Sequence, residues 1–230
     1  MKNSAIVLAM SVFASTGALA GDGPHFKSGL RLFNQLQEMA KSDADQINAA
    51  NVFGYITAVA DGFSGDKICM PDGITPVQLT ADVAAEIERD YSVKELQKYG
   101  ADFVVFYALS KKYSCNAKSA FASTGALAGD GPHFKSGLHL FNQLQEMAKS
   151  DADKIVTANV LGYITSVADS FSGTKFCMPD GIESFRLAAD VLSEIERSYD
   201  VAELQESGAE SVVYYALSKK YPCQAKSAKK

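Results

Sequence analysis

The chain has 230 residues, of which 47% are hydrophobic and 21% are charged, a balance typical of a globular protein with enough apolar side chains for a core. The formal net charge is −5 at pH 7, and the basic runs are short lysine pairs such as Lys111 with Lys112. An acidic chain without an extended basic patch is not expected to bind nucleic acid.

Residues 1–20 have the pattern of a secretory signal peptide. Lys2 supplies the positive charge, residues 5–14 form a short apolar run, and Ala18-Leu19-Ala20 provides the small residues that precede a cleavage point. The apolar run is too short to cross a bilayer. We therefore expect export to the periplasm and no membrane attachment once the signal is removed. The alternative is that this stretch forms a first core helix.

Four helices are predicted in the first half of the chain and again in the second half. In the first half they span about residues 24–41, 43–61, 76–89 and 93–113. Thr75-Pro76-Val77-Gln78 is a strong start signal, because it combines a capping threonine, a proline in the first turn and a glutamine three residues after the cap. Ser92 and Glu95 form a second capping box.

The last predicted helix includes residues 103–109, whose β-branched and aromatic side chains would also permit a strand. The cap at Ser92 and the cations Lys111 and Lys112 favour a helix, since positive charge stabilises a helix C-terminus. The predicted fold class is therefore all-α, with two tandem four-helix bundle units that each contain one internal disulfide.

The second helix carries a narrow face of small residues that includes Gly54. Glycine inside a helix costs about 1 kcal/mol relative to alanine, so we expect Gly54 to allow a neighbouring helix to approach closely. Asn51 and Tyr55 lie beside this face and are expected to form hydrogen bonds at the edge of the core. Lys27, on the first helix, is expected at the surface.

The chain has four cysteines, Cys69, Cys115, Cys177 and Cys223, and export makes them candidates for disulfide bonds. Of the three possible pairings, Cys69 with Cys115 and Cys177 with Cys223 are favoured, because each repeated half then closes on itself. Each bond would close a loop of about 46 residues and contribute roughly 4 kcal/mol in the chain-entropy model. A redox or metal site is the alternative, but no Cys-x-x-Cys spacing occurs and no histidine adjoins a cysteine.

The two halves are copies of one sequence. Residues 13–47 recur as residues 121–155 with two substitutions, and the copies then align without a gap to the end. The repeated block includes the end of the signal peptide, which leaves a signal remnant in the middle of the chain. We expect a first helical unit at residues 21–118, a linker at 119–128 and a second unit at 129–230. A fused pair of this kind can pack as a pseudo-dimer.

Few residues in the sequence are suited to catalysis. The histidines are His25, His133 and His139, and no nucleophile motif accompanies them. No glycine-rich phosphate loop is present. Pairs such as Asp61 with Asp66 are only an unspecific indication of a metal site. We therefore predict a non-enzymatic scaffold with no catalytic, cofactor-binding or metal-binding residues.

Three segments of each unit resemble the Rap/Tai family of type VI secretion immunity proteins. They contain a Gly-Tyr-Ile-x-x-Val-Ala-Asp stretch, a Cys-x-Pro-x-Gly turn and the closing cysteine. In the first unit these are residues 53–61, 68–79 and 108–115, and in the second unit 161–169, 176–187 and 216–223. The resemblance implies an all-α periplasmic protein that binds and blocks a peptidoglycan-cleaving amidase toxin.

The partner implied by the resemblance is a toxin or effector protein, and the loop after the second helix is the candidate contact surface. A loop anchored by a disulfide is preorganised, which lowers the cost of ordering it on binding. The residues expected to contact the partner are Asp66, Lys67, Asp72, Gly73, Asp180 and Gly181. The alternative is that Asp72 and Gly73 only form a turn.

The copies differ most at residues 75–78 against 183–186, where Thr-Pro-Val-Gln becomes Glu-Ser-Phe-Arg. We therefore expect the two units to differ in partner preference at this segment. A second functional hypothesis is a periplasmic helical chaperone or stress protein without enzymatic activity, which would protect many clients instead of neutralising one toxin.

Overall fold

The structure, a computed structural model, describes residues 26–41, 45–115, 134–149 and 151–223. The expected signal peptide at 1–20 and the linker at 119–128 lie outside the described residues. The described ranges contain α-helices and isolated bridges but no β-strand, which confirms the all-α prediction. The helices of the first unit are α1 (Gly29–Met39), α2 (Gln46–Phe63), α3 (Pro76–Asp90), α4 (Val93–Lys98) and α5 (Ala101–Lys112). Those of the second unit are α6 (Gly137–Met147), α7 (Lys154–Phe171), α8 (Ser184–Ser198), α9 (Val201–Glu206) and α10 (Ala209–Lys220).

The predicted fourth helix of each unit is divided into two helices. In the first unit the chain leaves the helical conformation between α4 and α5, at Tyr99 and Gly100. The backbone groups around this break bond to the segment that precedes α1: Gly29 N–H donates to the Tyr99 carbonyl at 2.8 Å, and Ala101 N–H donates to the Lys27 carbonyl at 3.0 Å. The break is therefore stable because its polar backbone groups are paired.

The first helix begins later than the sequence suggested. α1 starts at Gly29, and the Ser28 side chain caps it by accepting from the Arg31 N–H. The segment just before this cap is not helical, and Lys27 is buried, with a relative exposure of 4%. The expectation that Lys27 lies at the surface is wrong, because its side chain is held by partners on α2 that helical periodicity alone does not reveal.

The start of α3 follows the sequence signal. Thr75 caps the helix, and its side chain and that of Gln78 form the reciprocal hydrogen bonds of a capping box. In the second unit the equivalent cap is Glu183, which makes no side-chain cap bond. α3 and α8 therefore begin with different local chemistry although the rest of the two helices is alike.

Each unit has its own apolar core, formed mainly by one side of its first, third and last helices packed around the central helix, α2 or α7. Both disulfides form with the favoured pairing. The Cα atoms of Cys69 and Cys115 are 4.8 Å apart, and those of Cys177 and Cys223 are 4.7 Å apart. Each bond ties the loop after the central helix to the end of the last helix. None of the helices among the described residues combines the length and apolar character needed to cross a bilayer.

Candidate functional site

The loop after α2 presents the first set of predicted contact residues to solvent. Asp66 and Lys67 are both exposed, and the Lys67 ammonium lies 3.5 Å from the Asp66 carboxylate. An exposed pair of this kind contributes little to stability, so both charges are free to face a partner. Asp72 and Gly73 are also exposed and form the turn that follows Pro71.

The turn requires glycine at its third position, since the turn hydrogen bond joins the Ile74 N–H to the Pro71 carbonyl. Gly73 has φ of 77°, and Gly181, its counterpart in the second unit, has φ of 72°. An L-residue with a side chain rarely adopts this conformation, so the turn interpretation of Asp72-Gly73 and Asp180-Gly181 holds whether or not these residues also bind a partner. Cys69, just before the turn, is bonded to Cys115 and donates its backbone N–H to the Tyr113 carbonyl at 2.7 Å.

A groove of about 460 Å³ lies between this turn and α3. Its lining comprises Pro71, Asp72, Gly73, Ile74, Gln78, Ala81, Asp82 and Tyr113. Two of the predicted contact residues, Asp72 and Gly73, therefore belong to one concave surface, whereas Asp66 and Lys67 are not part of its lining. Asp82 and Tyr113 are additional residues of this surface that the sequence did not single out.

The corresponding position of the second unit carries an extra cation. Arg186 Nε donates to the Asp190 carboxylate at 3.0 Å, and Lys220 Nζ lies 3.2 Å from the same group. The Tyr221 hydroxyl also donates to Asp190. Although burial opposes the ionised form, hydrogen bonds from Tyr221, Arg186 and Lys220 hold the pKa of Asp190 below its usual value.

The two units meet where α2 packs against α7. A Cβ atom on Gly54 would lie 1.9 Å from the Asn159 carbonyl oxygen, and one on Gly162 would lie 2.0 Å from the Asn51 carbonyl oxygen. The expectation that Gly54 permits close approach of a helix is confirmed, and the approaching helix belongs to the other unit. The two glycines act reciprocally, as they would across a two-fold interface.

Buried aspartates also cross this interface. Asp169 of the second unit accepts hydrogen bonds from three donors of the first: the Tyr55 hydroxyl at 2.7 Å, the Phe26 amide at 2.5 Å and the Lys27 amide at 3.3 Å. Burial raises the pKa of Asp169 to about 7, and these hydrogen bonds limit the rise. Because the donors and the acceptor belong to different units, each hydrogen bond also fixes the position of one unit relative to the other.

The equivalent contacts are also made in the opposite direction, from donors of the second unit to an aspartate of the first. Asp61 of the first unit accepts from the Tyr163 hydroxyl and from the Phe134 amide, both at 2.7 Å. Asp61 therefore takes part in the contact between the units. In the described part of the chain, no group of histidine, cysteine or acidic side chains is placed to hold a metal ion. The sequence signal for this role is a carboxylate at the end of an apolar run, since a buried charge needs partners.

A buried lysine lies over the ring of each interface tyrosine, Lys27 over Tyr55 and Lys135 over Tyr163. Lys27 Nζ donates to the Asn51 side chain at 2.7 Å and lies 4.7 Å from the centre of the Tyr55 ring. Burial lowers the pKa of Lys27 to about 7. Lys135 repeats this arrangement in the second unit, where its Nζ donates to Asn159 at 2.8 Å. Burial lowers the pKa of Lys135 to about 8.

Asn51 and Asn159 complete the interface. Asn51 Nδ2 donates to the Ala158 carbonyl, and Asn159 Nδ2 donates to the Ala50 carbonyl, each at 3.2 Å. The expectation that Asn51 and Tyr55 form hydrogen bonds is confirmed, and their acceptors belong to the opposite unit, but Tyr55 is fully buried within the core and does not lie at its edge. The expected pseudo-dimer packing is present in this structure.

The two units also match one family in sequence. The family model of the Rap1a immunity proteins matches residues 28–115 and, separately, residues 136–223. The chain belongs to the Rap1a immunity protein family. This confirms the resemblance to tandem Rap/Tai immunity proteins, and family membership implies immunity towards a type VI effector. No curated protein and no solved structure matches the chain significantly.

The boundaries of the two Rap1a matches coincide with features of the structure. Each matched range begins at the serine that caps the first helix, Ser28 or Ser136, and ends at the second cysteine of the disulfide, Cys115 or Cys223. Each Rap1a unit therefore contains one complete disulfide and the glycine of the interface. The family and the two disulfides are consistent with a secreted or periplasmic protein.

Proposed function

We propose that this Rap1a protein is a periplasmic immunity protein that binds and blocks a type VI secreted peptidoglycan amidase. The observation that carries the proposal is the match of both units to the Rap1a immunity proteins. Residues 1–20 serve as the signal peptide, 21–118 and 129–230 as the two immunity units, and 119–128 as the linker. The protein acts stoichiometrically by covering the toxin and does not turn over a substrate.

The surface proposed to contact the toxin is the disulfide-anchored loop of each unit. Its residues are Asp66, Lys67, Asp72, Gly73, Asp180 and Gly181, all of which are exposed. The turn at Asp72 and Gly73 borders an open groove of about 460 Å³. The disulfide of each unit restricts this loop, which reduces the ordering cost of binding.

The first test captures the partner. The mature chain, immobilised, is incubated with periplasmic extract from cells that receive type VI effectors, and captured proteins are assayed for peptidoglycan cleavage with and without added protein. We expect one amidase to be captured. Its activity should be lost when one toxin molecule is present for each immunity unit, or one for each whole chain. Capture of many unrelated clients without an amidase would instead support the chaperone hypothesis.

The second test locates the contact surface. The combined substitution Asp72→Ala and Asp180→Ala should weaken binding to the captured amidase by about tenfold or more, which corresponds to about 1.4 kcal/mol. Lys94→Ala, an exposed residue on α4, is the matched control and should leave the affinity unchanged. Equal affinity for all three proteins would place the contact elsewhere on the surface.

The third test concerns processing. The mass of the exported protein should correspond to one species that lacks residues 1–20 and retains residues 119–128. Two species of about half the size would contradict the proposal that 119–128 remains as a linker. Retention of the full N-terminus in the cytoplasm would contradict the signal peptide.

A further inference from the structure

In the second unit, an exposed arginine on α8 pairs with the carboxylate one turn further along the same helix. Asp190 Oδ2 accepts from Arg186 Nε at 3.0 Å and also from the Tyr221 hydroxyl. Asp190 Oδ1 lies 3.2 Å from Lys220 Nζ. With these three partners in place the Asp190 side chain is only 9% exposed.

The first unit has the same receiving atoms without the arginine. Asp82 Oδ2 accepts from the Tyr113 hydroxyl, and Asp82 Oδ1 lies 3.1 Å from Lys112 Nζ. Gln78 occupies the position equivalent to Arg186, and its amide oxygen is turned to the helix cap, where it accepts from the Thr75 N–H at 3.0 Å. The Asp82 side chain is accordingly 29% exposed, and it lines the groove.

We infer that the groove of the first unit binds an arginine side chain of a partner protein, with the guanidinium at Asp82 in the place that Arg186 takes at Asp190. The inference rests on the proposed function only in identifying that partner as the effector. The acceptor atom is Asp82 Oδ2, which can accept a second donor as Asp190 Oδ2 does.

The lining residues of the groove suit arginine better than lysine. Pro71 and Ile74 supply apolar surface for a methylene stem, and Asp72 adds negative charge beside Asp82, whose carboxylate is already paired with Lys112 through Oδ1. A guanidinium presents several N–H donors in a fixed plane, so that it can bond to a carboxylate already shared with Tyr113, whereas an ammonium is a strongly hydrated point charge.

The second unit does not accept this ligand, because its own Arg186 already occupies the carboxylate. The two units of the fused chain are therefore unequal at this surface, and each chain takes one arginine. This asymmetry follows from a single position, Gln78 against Arg186, within the segment where the two copies differ most.

The test uses the full mature chain and a defined probe. Backbone amide NMR signals are followed while Nα-acetyl-arginine methylamide is added, with the blocked lysine and blocked citrulline as competing probes; citrulline has nearly the same shape without the charge. We expect saturable shifts around Gly73, Asp82 and Tyr113 with the arginine probe, and at least tenfold weaker binding of both other probes.

Two reciprocal variants locate the binding site. Gln78→Arg should weaken arginine binding at the first unit at least tenfold, and Arg186→Gln should create a second set of shifts around Asp190 and Tyr221. Gln97→Arg, which adds the same charge on α4 outside the groove lining, should bind the probe like the wild type. Asp82→Asn is a second test of the acceptor and should also lose binding, while its spectrum reports whether the fold is intact.

Three results would overturn the inference: shifts of equal size with citrulline, unchanged binding in Gln78→Arg, or no new site in Arg186→Gln. The captured amidase separates this inference from the proposed function. Probe binding with no amidase captured would retain the groove assignment and reject the amidase partner. Amidase binding that is insensitive to Gln78→Arg and Asp82→Asn, with no probe binding, would reject the groove assignment and retain the amidase partner.

Discussion

The hydroxyl of Tyr55 in the first unit donates a 2.7 Å hydrogen bond to the buried carboxylate of Asp169 in the second. The equivalent pair, Tyr163 and Asp61, makes the same bond in the opposite direction. Each unit therefore supplies the donor that the other unit's buried acid requires. The contact between the units is consequently specific in its chemistry as well as in its shape, and it ties the stability of each unit to the presence of its neighbour.

Removing one of these hydroxyls should destabilise the protein. Tyr55→Phe keeps the ring but takes a donor from a carboxylate that is almost fully buried, so we expect the free energy of unfolding to fall by about 1–3 kcal/mol. Chemical denaturation followed by circular dichroism measures the change. Tyr107→Phe is the control, because this tyrosine is 45% exposed, and it should change the free energy by less than about 0.5 kcal/mol.

Adding a methyl group at the helix contact should cost more than helix propensity gains. In Gly54→Ala the new Cβ would lie 1.9 Å from the Asn159 backbone oxygen, so α2 and α7 must move apart. Alanine gains about 1 kcal/mol in helix propensity, but the lost packing should lower the free energy of unfolding by about 2–4 kcal/mol in total.

Gly62→Ala is the matched control in the same helix. The nearest atom to its new Cβ would be a side-chain carbon of Glu210 at 3.8 Å, an ordinary contact distance. This variant should be neutral or more stable by up to about 1 kcal/mol. If Gly54→Ala and Gly62→Ala had equal stability, the close approach of the two central helices would be contradicted.

Asp169 should give stability a characteristic pH dependence. Its pKa is raised by burial to about 7, whereas in the unfolded chain an aspartate has a pKa near 3.9. Between about pH 4 and 7 the folded state therefore holds a proton that the unfolded state has released, so this group makes the free energy of unfolding fall as the pH rises.

The comparison with Asp169→Asn isolates this effect, because asparagine does not titrate. The stability of the wild type relative to the variant should decrease by about 1–3 kcal/mol between pH 5 and pH 7. Denaturation curves at several pH values measure this difference. A difference that stays constant or grows with pH would show that Asp169 is ionised in the folded protein throughout this range.

Lys27 affects the free energy of unfolding at higher pH than Asp169 does, and in the opposite direction. Burial lowers its pKa to about 7, so between about pH 7 and 10 the unfolded chain binds a proton that the folded chain has lost. Its contribution therefore makes the free energy of unfolding rise with pH in this range. Lys27→Met should reduce that rise, with the part due to Lys135 (pKa about 8) remaining, whereas Lys94→Met, on the exposed face of α4, should leave it unchanged.

The disulfides should contribute to stability independently in the two units. Replacing Cys177 and Cys223 by serine removes a link between residues 46 positions apart, and the expected loss is roughly 2–4 kcal/mol. Thermal unfolding with and without reductant checks it: reductant should destabilise the wild type more than the variant that retains only Cys69 and Cys115. Equal sensitivity of the two proteins to reductant would contradict a contribution from the second bond.

Several features of the fold could be read from local sequence. The capping box at Thr75 and Gln78 fixed the start of α3, because a cap depends on residues three positions apart. The repeat of the cysteines gave the disulfide pairing, since each copy closes on itself. The break between α4 and α5 was missed because it depends on Tyr99 and Gly100 bonding to the distant segment before α1.

The residues that line the groove between the turn and α3 were anticipated from the sequence in part. Asp72 and Gly73 were found because a Pro-Asp-Gly sequence indicates a turn on its own. Asp82 and Tyr113 were not, because they are far apart in the sequence and meet only when α3 packs against α5. The contribution of Arg186 was visible only as a sequence difference until its contact with Asp190 was known.

The sequence by itself determined that this protein is two tandem copies of one all-α, disulfide-closed Rap1a unit, because helix periodicity, capping and cysteine repetition act within each copy. Only the tertiary structure decided how the copies join. The burial of Lys27 was not evident from the sequence, and the role of Asp61 and Asp169 depends on burial and on backbone donors at least 73 residues away in the chain. Pairing across that distance is set by the approach of α2 and α7 at Gly54 and Gly162: the small-residue face around Gly54 predicted a close helix contact, but not that the contacting helix belongs to the other unit.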